Sequence, residues 1–139
     1  MPNLITDQDQ EVFKQVSDIS EELRRATYKD NTFKPIEWYR DRMNRLTGDY
    51  MYLSERYGKM KGAKDRNWTD AYMQAKLDSN AAGEKFVNAS AERTADHAVK
   101  ELSEAVLVFE GYLKASEQGV LTCKKNVDVE VEELRRETT

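Results

Sequence analysis

The fold is decided by residues 36–60, which read IEWYRDRMNRLTGDYMYLSERYGKM. Their apolar side chains recur at alternating steps of three and four residues, at Ile36, Tyr39, Met43, Leu46, Tyr50, Leu53, Tyr57 and Met60. This spacing fills successive a and d heptad positions, and a helix with such a seam supercoils against a partner helix. Pro35 suits the first helical position, where its missing amide hydrogen costs nothing. We therefore predict a long helix over residues 35–60.

A second long helix is the expected partner for this seam. Residues 61–67 are polar and include a helix-breaking glycine, so they predict the turn that reverses the chain. Residues 68–118 resume a helical pattern, with a possible interruption at residues 80–83. Four apolar residues of this helix are assigned to the core and to contacts between subunits: Leu102, Val106, Phe109 and Leu113. Together the two helices predict an elongated, coiled-coil-like antiparallel hairpin.

A shorter helix is predicted before the hairpin, over residues 7–27. Its apolar stripe consists of Val12, Val16, Ile19, Leu23 and Ala26. Thr6 or Asp7 can cap it, because a short side-chain oxygen there accepts from the unpaired amides of the first turn. Residues 28–34 are then predicted to be a loop.

A further helix is predicted after the hairpin, over residues 120–137, with Gly119 as a kink or helix end before it. Val127, Val129 and Val131 alternate as in a strand, yet Val127 and Val131 also fit a helical stripe. Helix is the better assignment, because a lone strand would leave its backbone groups unpaired. We predict one all-α domain over residues 1–139. Its apolar stripes exceed what one antiparallel partner covers, so we expect a homo-oligomer.

Composition excludes several classes of protein. The 139 residues are 39% hydrophobic and 35% charged, which is too apolar for a disordered chain. The longest apolar run, residues 105–109, is too short to cross a bilayer, so no membrane partner is expected. The opening Met1-Pro2-Asn3 starts no signal peptide, and the single cysteine forms no internal disulfide. These features favour a cytoplasmic location.

Catalytic and metal-binding groups are sparse. His97 lies between Arg93 and Glu101 on a polar helical stripe, where a solvated surface histidine is expected. Cys123 has no second cysteine or histidine nearby to complete a zinc site, and is expected to be a small, partly buried thiol. The glycines and lysines of residues 58–62 lack the spacing of a phosphate-binding loop. The sequence therefore predicts a protein that is not an enzyme and needs no cofactor or metal.

Basic charge is concentrated in one part of the chain. Residues 34–66 contain nine basic and five acidic residues, while the whole chain carries a net charge of -4. The cations are densest in residues 56–66, and two aromatic residues follow closely. The candidate nucleic-acid-binding residues are Arg56, Lys59, Lys61, Lys64, Arg66, Trp68 and Tyr72. Cations beside flat aromatic rings suit single-stranded nucleic acid. The alternative is that the charges of an exposed turn serve only to keep the protein soluble.

The order of these features resembles a known family. The basic, glycine-containing segment ERYGKMKG, residues 55–62, leads to a helix with Leu102, Phe109, Tyr112 and Leu113. Gly119 and the lysines Lys124 and Lys125 follow. Over residues 37–133 the chain resembles the UvsY-type recombination mediators of tailed phages, which are small helical proteins that assemble into rings.

This resemblance implies a function and a set of partners. Members of that family bind single-stranded DNA and help to load a RecA-like recombinase in place of the single-strand-binding protein. The implied partners are therefore single-stranded DNA, those two proteins and further copies of the chain. The implied DNA contacts are Arg56, Lys59, Lys61, Lys64 and Arg66. A phage-encoded protein of this kind would act in the host cytoplasm.

A second functional class fits the sequence equally well. The chain would then be a helical protein–protein interaction module of a phage, structural or host-inhibiting, that uses exposed coiled-coil seams and does not bind DNA. Salt dependence separates the two classes. DNA binding should weaken as salt rises and as the cations are removed, whereas binding through a seam should depend on apolar side chains.

Overall fold

The computed structural model describes residues 4–29 and 34–138, and this part of the chain is helical with short connections and no β-strand. The helices are α1, Asp7–Arg24, continued by a π-helical segment, Arg25–Lys29; α2, Ile36–Ala81; α3, Asn88–Ala98; and α4, Lys100–Glu137. The predicted all-α fold is confirmed. Residues 30–33 of the predicted loop lie outside the described residues, whereas residues 28 and 29 belong to the π-helical segment.

Helix α1 begins as the sequence predicts. Thr6 is its N-cap: the Asp9 amide donates to the Thr6 hydroxyl at 3.1 Å, and the Thr6 amide donates to the Asp9 carboxylate at 2.8 Å. This reciprocal capping box satisfies two amides that the first turn leaves unpaired. The Asp9 side chain is fully buried, and the Tyr52 hydroxyl of α2 donates to it at 2.6 Å. The cap therefore also joins α1 to α2.

The predicted turn at residues 61–67 is wrong. Helix α2 continues through it to Ala81, so residues 36–60 and 68–80 belong to one helix, and Pro35 precedes the helix instead of occupying its first position. The chain leaves α2 at Gly83, whose φ of +69° lies in the left-handed region that favours glycine. The Gly83 amide donates to Asn80 at 3.2 Å and the Glu84 amide to Ser79 at 3.0 Å. These two bonds are those of a Schellman motif, a common way to end a helix.

The second predicted long helix also has different bounds. It is divided at Val99, where φ is -106° and ψ is 14°, into the short helix α3 and the long helix α4. Helix α4 then passes through Gly119 to Glu137, so the predicted kink or helix end at Gly119 is wrong and the helical assignment of residues 120–137 is confirmed. Gly119 lies within α4 and is buried because it packs against Leu46 of α2.

The contacts divide the chain into two compact units. The three-helix unit consists of Ile5–Glu55 and Glu110–Thr139, and the turn unit consists of Met1–Leu4 and Arg56–Phe109. Helices α2 and α4 contribute residues to both units. The prediction of one domain over residues 1–139 stays a prediction.

In the three-helix unit, α1, the first half of α2 and the second half of α4 pack on one another. Phe13 of α1 stacks on Tyr112 of α4 with ring centroids 4.2 Å apart. Arg42 of α2 donates to Glu22 of α1 at 2.6 Å. The core of this unit includes side chains that are fully buried, namely Val16, Leu46, Leu53, Ser116 and Cys123.

The predicted heptad seam of α2 is buried along one of its two lines. Tyr39, Leu46, Leu53 and Met60 are spaced by seven residues and are all buried. In the other line, Ile36, Met43 and Tyr57 are half-buried and Tyr50 is exposed. Asp49, next to Tyr50, is buried. The buried face is rotated because α1 covers the side of α2 that carries Arg42 and Tyr52. The remaining apolar assignments divide similarly: Val106 and Phe109 are buried, whereas Leu102 and Leu113 are half-buried.

Candidate nucleic-acid interface

All five candidate cations lie on α2, in the turn unit, and not on a loop. Lys59, Lys61 and Arg66 are exposed, and Arg56 and Lys64 are half-buried. At about 100° per residue, the helix places Lys61 and Lys64 on one flank of the buried line through Met60. Arg56, Lys59 and Arg66 lie on the other flank. The cations are therefore close along the axis of α2 but do not form one face.

Arg56 is held by contacts within the turn unit. Its guanidinium donates to the Leu4 carbonyl at 3.0 Å and lies 5.3 Å from the centre of the buried Phe109 ring. A guanidinium over an aromatic face gains a cation–π interaction and here covers a core residue. Arg56 therefore has a structural role, and the cations that reach furthest into solvent are Lys59, Lys61 and Arg66.

Between these exposed cations, the outer surface of α2 carries two glycines, which have no side chains. Gly58 and Gly62 lie on the helix face opposite Met60, and Arg66 approaches Gly62, with its Nη1 atom 3.3 Å from where a Cβ would be. Lys61 lies 5.8 Å from the centre of the Tyr57 ring. The space over Gly58 is open, so an extended polymer can approach the backbone of α2 closely there while cations contact it from both flanks; Arg66 already lies over Gly62.

Trp68 and Tyr72 are one helical turn apart and stack on each other, with centroids 5.4 Å apart and planes inclined by 11°. Both also bind α3. The Trp68 indole nitrogen donates to Asp96 at 2.8 Å, and the Tyr72 hydroxyl donates to the Asn88 side chain. The two rings are half-buried, and they hold α2 against α3. Their predicted contact with bases stays a prediction.

Two further residues complete this aromatic cluster, and sequence reasoning missed them. Phe86 packs edge-on against Tyr72 with centroids 6.0 Å apart, and Lys76 lies 5.8 Å from the Phe86 ring centre. Phe86 is a large apolar residue within a polar stretch, and this feature of the sequence could have indicated that it packs against a neighbouring helix. Asn88 and Asp96 carried no such signal, because their roles depend on the position of α3.

A cleft of about 550 Å³ opens beside Trp68, between α2, the end of α3 and the start of α4. We call it the Trp68 cleft. It is lined by Lys64, Asp65, Trp68, Thr69, Asp96, Val99 and Ser103. The break at Val99 forms part of its wall. The structure therefore brings together two of the predicted site residues, Lys64 and Trp68, with two carboxylates and two hydroxyl groups.

The two units differ in charge. The turn unit contains nine basic and eight acidic residues, a net charge of +1, while the three-helix unit contains 13 basic and 18 acidic residues, a net charge of -5. The acidic character of the whole chain therefore comes from the three-helix unit. An anionic polymer would meet its least repulsive surface on the turn unit.

The other chemistry-bearing groups are His97, which is exposed as the sequence predicts, and Cys123, which is buried more completely than the predicted partly buried thiol. His97 is exposed on α3, and Cys123 is fully buried, where burial raises the pKa of its thiol to about 11. A thiol with a raised pKa is a poor nucleophile at neutral pH. Among residues 4–29 and 34–138, no group of histidine, cysteine and acidic side chains could hold a metal ion. Within the same residues, no helix has a stretch apolar enough to span a membrane.

Comparison of the chain with protein-family models, with curated proteins and with solved structures gave no match.

Proposed function

We propose that this protein is a non-enzymatic, single-stranded DNA-binding recombination mediator that uses residues 56–66 of α2 to hold the DNA. The observation that carries the proposal is the density of cations there, five in eleven residues, on the unit whose net charge is positive. Single-stranded DNA is held by cations that track its phosphates, and such binding is nearly independent of sequence.

The proposed contacts follow from the positions of the cations. Lys59 and Arg66 on one flank of α2, with Lys61 and Lys64 on the other, would contact phosphates of a strand that crosses the helix at Gly58 and Gly62. Gly58 lets the strand approach the backbone, and Arg66, which lies over Gly62, would contact the strand directly. Loading of a RecA-like recombinase, exchange with a single-strand-binding protein and assembly of several copies are further parts of the proposal, and the resemblance to the UvsY-type mediators supports them.

The test is the salt dependence of binding to a labelled oligothymidylate, measured by fluorescence anisotropy. Each phosphate contact on a single strand adds about 0.7 to the slope of log affinity against log salt. Changing Lys59, Lys61 and Lys64 together to Ala should therefore lower the slope by about 2.

A matched control removes the same charge elsewhere. Lys76, Lys85 and Lys100 also belong to the turn unit but lie outside residues 56–66. Their combined replacement by Ala should leave most of the slope in place. Equal slopes for the parent and the first triple variant would refute the proposed DNA surface.

A second candidate function, protein–protein interaction without DNA, is favoured by one observation. Met73 and Leu77 are one turn apart on α2, and these residues are 48% and 58% exposed. Contact surfaces are marked by contiguous exposed apolar patches, and Met73 with Leu77 would form the centre of one. If both triple variants bind the oligonucleotide no differently from the parent, this second candidate becomes the better one. Its test is the double variant Met73→Ser and Leu77→Ser, which should lose binding to a protein partner that the parent binds.

A further inference from the structure

The Trp68 cleft has the size of a small-ligand site and a mainly polar lining around the indole of Trp68. Its volume of about 550 Å³ lies within the range of about 300–1,000 Å³ that ligand pockets occupy. It borders residues 56–66, so a strand held on α2 would pass its mouth. Tyr72 stacks on the indole of Trp68 but does not line the cleft, so the part of the indole that faces the cleft is not the part that Tyr72 covers.

The flat indole and the cation suit an unstacked base with its phosphate. Bases of single-stranded nucleic acid are recognised by stacking on aromatic rings and by hydrogen bonds to their Watson–Crick edges. Lys64, on the wall of the cleft, is placed to contact the phosphate or an acceptor on the base. Thr69 and Ser103 add hydroxyl groups that can donate or accept.

The two carboxylates decide which base fits. An ionised carboxylate only accepts hydrogen bonds, and its two oxygens can accept from two adjacent donors. Asp96 already accepts the indole N–H of Trp68, at 2.8 Å. Asp65 is exposed at the wall of the cleft and is available to a ligand. Guanine is the base that presents two adjacent donors, N1–H and the N2 amino group, on its Watson–Crick edge.

We infer that the Trp68 cleft binds one unstacked guanine of a single strand, with Asp65 accepting from N1–H and the N2 amino group. This inference rests on the proposed function and deepens it, because it adds a base preference to contacts that otherwise read only phosphates. The base lies against the indole of Trp68, and Lys64 contacts the O6 acceptor or the adjoining phosphate.

The experiment compares oligothymidylates that carry one central substitution, either deoxyguanosine or deoxyinosine. Inosine lacks only the N2 amino group, so stacking and charge stay the same. Binding is measured by anisotropy of a labelled strand at one salt concentration. The parent protein should bind the inosine strand about tenfold more weakly than the guanosine strand, as expected for loss of one of two paired donors.

Asp65→Asn should change two quantities in opposite directions. It should abolish the difference between guanosine and inosine, because an amide offers one acceptor in place of two. It should also strengthen binding to plain oligothymidylate, since a negative charge is removed beside the strand. Asp70→Asn is the matched control, because Asp70 is an exposed carboxylate of the same helix that does not line the cleft. Asp70→Asn should keep the discrimination.

The outcomes separate this inference from the proposed function. Salt-dependent binding with equal affinities for guanosine and inosine strands would overturn the inference and leave the proposed function standing. Equal loss of discrimination in the Asp65 and Asp70 variants would also overturn it, because the effect would then be one of charge. Absence of binding to every strand would overturn both.

Discussion

Gly119→Ala is a sharp test of how α4 packs in the three-helix unit. A Cβ on Gly119 would lie 2.5 Å from Leu46 Cδ1 and 3.7 Å from Leu23 Cδ1. Carbon atoms pack at about 3.5–4.0 Å, so the first distance requires a shift of about 1 Å. Leu46 is fully buried, so its methyl group has little room to move.

The expected magnitude is the difference between two opposing effects. Alanine in place of glycine inside a helix stabilises by about 1 kcal/mol. Extra volume in a well-packed core costs about 1–3 kcal/mol. Gly119→Ala should therefore lower the free energy of unfolding by about 0–2 kcal/mol. Gly111→Ala, on the same helix with open space around its Cβ position, should raise it by about 1 kcal/mol.

The assay is urea denaturation followed by circular dichroism, with Gly111→Ala as the control for helix propensity. A double-mutant cycle with Leu46→Ala makes the test specific, because removing the Leu46 methyl groups opens space for the new one. The cost of Gly119→Ala should then vanish, with a coupling of about 1–3 kcal/mol. If Gly119→Ala stabilises as much as Gly111→Ala, the close approach of α4 to Leu46 is wrong.

Two further predictions concern the three-helix unit. Burial raises the pKa of Asp49 to about 6, above its unfolded value near 4, so the folded state keeps a proton that the unfolded state loses, and stability should fall as pH rises from about 4 to 6. Asp49→Asn should flatten this decline in urea denaturation measured across that window, and an unchanged decline would contradict it. Thr6→Ala removes the cap of α1 and should cost about 1 kcal/mol of unfolding free energy. Thr47→Ala, at an exposed mid-helix position, should cost nothing in the same assay, and equal losses would refute the role of the cap.

The sequence predicted helices well where large apolar residues repeat and a cap is present. The stripe of α1 and the line through Tyr39, Leu46 and Leu53 contain Val, Leu and aromatic side chains, whose burial strongly favours one helix face. Thr6 was recognisable as a cap because its hydroxyl can reach an amide of the first turn.

The turn was predicted at the wrong place because the apolar residues on the inner side of α2 are large up to Met60 and mostly alanine after it. The inner side of α2 and α3 in the turn unit uses alanines, among them the half-buried Ala71 and Ala75 and the buried Ala91 and Ala95. Alanine gives little hydrophobic contrast, so the seam of large apolar residues ends at Met60 although the helix continues. Gly58 and Gly62 cost the helix about 1 kcal/mol each, a penalty that continued packing offsets.

The position of the candidate site changes in consequence. A loop at residues 61–67 would let its cations contact one DNA strand together, whereas the helix holds them on two opposite flanks. Lys64 and Trp68 share a cleft only because α2 continues past residue 67 and meets α3 and α4 there. The residues of that cleft come from three helices. The contributions of Asp96 on α3 and Ser103 on α4 could not be inferred until both helices were placed against α2.

A helical site also limits how much DNA one copy can hold. Lys59 and Arg66 are seven residues apart, which is about 10 Å along the axis of α2 at 1.5 Å per residue. Four cations over that distance can neutralise only a few phosphates, so one copy should bind weakly at physiological salt. Weak sites become effective when several copies bind one strand, because each later contact forms at a high effective concentration. The proposed DNA binding therefore requires the proposed self-association, and the charge of -5 on the three-helix unit restricts it to assemblies in which the turn units face the strand.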